Sequence, residues 1–149
     1  MAAKRTNTVG AGDKLPPTTE EPAVDSTVVD TSPPYLAVKM RASVTEESMV
    51  PVFEAICQEI RRNGAHRVLV DLRESSVELS ISDMLGIAKM TASTFSGVLE
   101  RLALLVRPQD LLSEKFFEPS VSSRGVPTFV TPDAAEATYW IASKTKLPR

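Results

Sequence analysis

Arg67-Val-Leu-Val-Asp-Leu-Arg73 is a short apolar run closed by a carboxylate, and it opens into a polar loop over residues 74–82. A strand buried on both faces of a parallel sheet reads this way. Its C-terminal end delivers side chains to the edge where open α/β sheets place their ligands. Working outward, a second run of the same kind is Arg101-Leu-Ala-Leu-Leu-Val-Arg107, stopped by Pro108. A third covers residues 126–130. Upstream, Tyr35-Leu-Ala-Val-Lys-Met-Arg-Ala42 alternates as a strand does. Residues 26–30, with β-branched Thr27, Val28 and Val29, precede it across Thr31-Ser-Pro-Pro34, so the pair is expected to form an antiparallel edge hairpin.

Helical spacing fills the gaps between these strands. Met49, Val52, Phe53, Ile56 and Ile60 repeat on one helical face, with Thr45 or Ser48 as the N-cap and Asn63-Gly64 as the stop. Pro51 is expected in the first turn, where a proline is tolerated. Met84, Ile87, Ala88, Thr91 and Phe95 form the next stripe, capped by Ser80 or Ser82 and ended by Ser96-Gly97. Asp110 can cap a third helix, and Pro119 predicts a kink in it or a division into two. Thr131-Pro-Asp133 opens a fourth, with Thr131 as the expected cap and Pro132 at the first helical position. The order (ββ)αβαβαβα predicts an α/β fold: a mostly parallel sheet of four to five strands with helices packed on it, and an antiparallel edge strand at the N-terminal end.

The chain has 149 residues, 42% of them hydrophobic and 24% charged, which suits one globular domain. Residues 1–25 are rich in Thr, Pro, Gly, Ala and Glu and have few large apolar side chains. Such a segment cannot offset its ordering entropy, so a disordered tail is expected there and a single domain over residues 26–149. Residues 1–33 hold three basic and five acidic side chains, and the remainder holds fourteen of each sign. That balance leaves no basic stripe for nucleic acid. No apolar run long enough for a signal peptide or an integral membrane segment occurs. The one cysteine, Cys57, has no internal disulfide partner, so a cytoplasmic protein is expected.

The C-terminal ends of the strands collect Asp71, Arg73, Glu74, Ser80, Ser82 and Asp83, and these form the candidate regulatory or partner-binding edge. A Ser-His-Asp hydrolase fails on geometry. The single histidine, His66, starts its strand, roughly 15–20 Å from Asp71 and the loop serines at about 3.3 Å per residue. A lysine after the last strand, which a phospho-receiver would need, is replaced by Thr131. The only closely spaced glycines, Gly10 and Gly12, precede every strand, so no phosphate loop is present. No catalytic residue, metal site or cofactor is therefore assigned. A loop serine at a helix N-terminus can accept a phosphate that the helix dipole favours, and Ser82 and Ser80 fit that role. Ser75 and Ser76 are expected to be exposed.

Taken in order, Arg67-Val-Leu-Val-Asp-Leu-Arg73, Arg101-Leu-Ala-Leu-Leu-Val-Arg107, Ser113-Glu-Lys-Phe-Phe117, Arg124-Gly125 and Phe129-Val-Thr-Pro-Asp-Ala-Ala-Glu-Ala137 with Tyr139-Trp-Ile141 resemble a STAS-type domain. The resemblance is to the SpoIIAA-like group, itself similar to Sec14-type lipid-binding domains, and it spans about residues 35–143. It implies a non-enzymatic regulatory or binding role, with an anti-sigma-type kinase or another regulator as the protein partner. In that family a serine at the start of the helix after the Asp-Leu strand is phosphorylated, within Asp-Ser-Ser-Gly or Asp-Ser-Thr-Gly. This chain has Leu79-Ser-Ile-Ser-Asp-Met84 there; Ser82 is the nearest equivalent and Ser80 the second.

The resulting expectation is a cytoplasmic regulatory or protein-binding module switched at a loop serine, with a homodimer among the partners to be tested. The alternative is a carrier or sensor of a small apolar or lipid-like ligand, lined by Met84, Ile87, Phe95, Phe116 and Phe117.

Overall fold

The computed structural model describes residues 27–143. The expected tail over residues 1–25 and the basic end beyond Ser143 lie outside them. Five strands form one sheet: β1 (Thr27–Asp30), β2 (Leu36–Met40), β3 (Arg67–Asp71), β4 (Arg101–Leu105) and β5 (Thr128–Thr131). Their order in the sheet is their order in the chain. β1 runs antiparallel to β2 with Val29 opposite Val38, and every later pair is parallel. The expected α/β sheet and its edge hairpin are both present.

Four helices alternate with the strands: α1 (Glu46–Asn63), α2 (Ile81–Phe95), α3 (Leu111–Ser122) and α4 (Ala134–Ala142). The parallel strands step in one direction across the sheet. Right-handed crossovers therefore put α1, α2 and α3 on the same face. Leu36, Val38, Met40, Val68, Val70, Leu102, Leu104 and Val130 project into this front layer. There they meet Val52, Phe53 and Ile56 of α1, Ile87 and Phe95 of α2, and Phe117 and Val121 of α3. Phe53 and Phe95 pack edge to face with centroids 5.2 Å apart, tying α1 to α2. After the edge strand β5 the chain crosses to the back, where Ala137 and Ile141 of α4 cover Leu69, Ala103 and Leu105.

The caps follow local chemistry, and several depart from the sequence reading. Thr45 caps α1, and its hydroxyl accepts the Ser48 N–H at 2.9 Å while the Ser48 hydroxyl accepts the Thr45 N–H at 2.8 Å. Gly64 closes α1 at φ +68°, the left-handed region. With Thr45 as cap, Pro51 falls in the second turn, not the first. It cannot donate to the carbonyl of Glu47, an exposed residue whose carbonyl water can serve. α3 is one helix despite Pro119, preceded by a single 3-10 turn over Pro108–Asp110. Asp110 makes no side-chain cap there. Its carboxylate instead accepts from Arg107 Nε at 2.7 Å. At α4 the cap is Asp133, which accepts the Glu136 N–H at 3.1 Å. The helix therefore starts at Ala134 and Pro132 lies outside it, with the Thr131 hydroxyl accepting the Asp133 N–H ahead of the cap.

Candidate functional site

Alternation along the strands divides the candidate edge into two groups. Asp71 shares its side of β3 with Leu69, the back face, and is paired in register with Lys39. Arg73 grips it through two parallel hydrogen bonds, Nε to Oδ1 at 3.0 Å and Nη2 to Oδ2 at 2.9 Å, and the Arg73 N–H adds a third at 3.0 Å. Burial pushes the Asp71 carboxyl up, but the Arg73 hydrogen bonds and charge, with Lys39 behind them, more than reverse it, so its pKa lies below the ordinary value. Glu74 sits next to this pair and bridges Lys39 Nζ at 2.8 Å and Arg41 Nε at 2.7 Å. Hydrogen bonds from those two cations bring its carboxyl down to about 2.

The second group stands at the start of α2, on the front face. Ser80 is the N-cap and accepts the Asp83 N–H at 3.0 Å. Ser82 and Asp83 are exposed in the same turn. Ile81 is 58% exposed and Leu85, one turn later on the same helix face, 40% exposed, so two large apolar side chains form an exposed strip beside Ser82. Ser75, expected at the surface, is buried. The tight turn that sends its N–H to the Leu72 carbonyl at 3.1 Å folds it under the loop.

A third feature lies in the interior, and its one buried acid was not anticipated from the sequence. Inside the front layer is a cavity with about 40 Å³ of free space, walled by α1, α2, α3 and the sheet. Of the expected ligand lining, Ile87, Phe95 and Phe117 stand in its wall. Met84 is buried outside that wall, and Phe116 turns away, 56% exposed. The wall also contains Glu114, only 4% exposed, whose Oε2 has no hydrogen-bond partner. Burial, then the nearby charge of Asp110, raises its carboxyl to about 7. A signal existed: Glu114, Phe117 and Val121 are spaced i, i+3, i+7, so the carboxylate falls on the apolar stripe of α3.

His66 is exposed at the start of β3, far from the edge that holds Asp71, as its position in the strand implied. Among the described residues no three His, Cys, Asp or Glu side chains converge in a way that could hold a metal ion. Among the same residues no helix is long and apolar enough to cross a membrane.

No family model matches the chain. No curated protein matches it either. Among solved structures it is similar to an uncharacterized protein of the DUF3478 family with a SpoIIAA-like fold, from Shewanella loihica PV-4. The TM-score is 0.47 at 19% identity, over 78% of this chain and 92% of the other.

Proposed function

We propose that the protein is a regulatory, partner-binding module of the cytoplasm whose contact face is the start of α2. The observation that carries this reading is the exposure of Ile81 and Leu85 on one face of α2, beside the exposed Ser82. Exposed apolar side chains at the mouth of a helix give a partner something to bury, and the hydroxyl beside them gives a place to control that burial. A phosphate on Ser82 would sit in the first turn, where the helix dipole favours negative charge, and would place about two charges at the border of the apolar strip. Ser80 is less suited, because its oxygen is already engaged by the Asp83 N–H.

Affinity capture from the native cell extract tests this, using the unmodified chain, Ser82→Asp, Ser82→Ala and a double change Ile81→Glu/Leu85→Glu. A protein retained by the unmodified chain and by Ser82→Ala, and lost with both acidic variants at unchanged thermal midpoint, is the expected result. An identical retained set for all four removes the reading.

A second reading, a carrier or sensor of a small apolar ligand, is supported by the cavity beneath α2. About 40 Å³ exceeds the 10–15 Å³ that one water needs, yet it gives room for only a few heavy atoms. The occupant would accordingly be small, not a whole lipid.

A further inference from the structure

We propose that the cavity walled by α1, α2, α3 and the sheet binds a small neutral amphiphile, a few carbons bearing one hydroxyl, with that hydroxyl held by Glu114. The inference rests on the second reading and names the ligand chemistry for it. A wholly apolar cavity disfavours polar groups, and this one is not wholly apolar. Glu114 is almost fully buried in its wall with Oε2 unpartnered, a state that costs free energy until a donor or acceptor arrives. The other polar wall residue, Thr91, donates its hydroxyl to the Ile87 carbonyl at 2.7 Å. It therefore offers the interior only acceptor capacity.

The remaining wall is aliphatic and aromatic, with Phe53, Ile87, Phe95 and Phe117 around the space. A cation is a poor fit, since stripping the water from an ammonium group is far more expensive than stripping it from a hydroxyl. Near neutral pH, burial keeps the Glu114 carboxyl protonated in much of the population. A protonated carboxyl carries one donor and one strong acceptor, and a hydroxyl answers both. The carbons then fill space the side chains leave empty, restoring contacts that a void forfeits.

Methyl NMR of Ile87, with xenon and 1-propanol as probes, tests this on the full chain, on Glu114→Gln and on Glu114→Leu. Thermal midpoints check that all three fold, and replacing an unpartnered buried carboxyl by leucine is not expected to unfold the protein. The expected result is a saturable 1-propanol shift at Ile87, with a dissociation constant at least tenfold weaker in Glu114→Leu and changed less in Glu114→Gln. Xenon should shift the same methyl in the unmodified chain. A xenon shift with no saturable propanol shift, or propanol binding unaffected by Glu114→Leu, overturns the role of Glu114 and leaves the apolar carrier reading standing. No shift with either probe overturns both.

Discussion

The Ser80 hydroxyl accepts the N–H of Asp83 at 3.0 Å, and so the two serines of the candidate switch have different duties. Ser80 satisfies an orphan donor of α2, whereas Ser82 is an exposed residue of the first turn. Ser80→Ala is expected to lower stability by about 1 kcal/mol, the usual loss for an N-cap, and Ser82→Ala to change it by less than about 0.5 kcal/mol. Urea titration of both variants checks this. Equal losses would mean that the cap is not where the geometry places it.

The sheet was legible because its strands are short apolar runs bounded by turn residues. Val68, Val70, Leu102 and Leu104 leave little choice of element. The helix starts were harder. Thr131 and Asp133 are both good caps, and the hydrogen bond from the Glu136 N–H to the Asp133 carboxylate decides between them. The candidate site was legible as a set of loop residues but not as a shape. Whether Asp71 and Ser82 share a face depends on strand alternation and on the side each crossover takes, and these put the two on opposite faces. Glu114 was passed over because an acid on a helix reads as solvated until its stripe is compared with that of its neighbours.

Arg73 is what holds Asp71 ionised. Burial alone would raise this carboxyl, and the paired guanidinium overrides burial. Arg73→Gln removes the charge and the fork while keeping the backbone donor. The Asp71 pKa is then expected to rise, and carboxyl-carbon NMR reads it directly. In the unmodified chain the lowered value contributes stability that is present above the unfolded pKa and fades as pH falls through the folded one. The variant should therefore be less sensitive to acid over that range. An unchanged Asp71 titration would assign the shift to Lys39 and the backbone instead.

Gly125 closes the turn after α3 at φ +102°, and a Cβ there would come 2.5 Å from the Ser96 hydroxyl. The hydroxyl is the free end of a short side chain and can rotate away, but the backbone conformation cannot be relieved so easily. Gly125→Ala is expected to destabilise by about 1–3 kcal/mol, most of it from the positive φ. Repeating the change in Ser96→Ala separates the terms. If the loss vanishes in that background, the contact with Ser96 was the cause and backbone strain was not.

Glu114 sets the pH dependence near neutrality. Its folded pKa of about 7 lies above its ordinary value of 4.5. Below both values the acid is protonated in either state and the shift has no effect. Between them the unfolded chain has released a proton that the folded chain keeps, so stability falls as pH rises, and it levels off above about 7. A shift of this size corresponds to about 3 kcal/mol across the window, at 1.36 kcal/mol per unit. The nearby Asp110 acts in the same direction, because its charge disfavours a second one beside it. Glu114→Gln cannot ionise, so its stability should be flatter between pH 4.5 and 7 than that of the unmodified chain. Urea midpoints at half-unit steps of pH measure the difference, and parallel curves for the two proteins would show that the carboxyl is hydrated in solution.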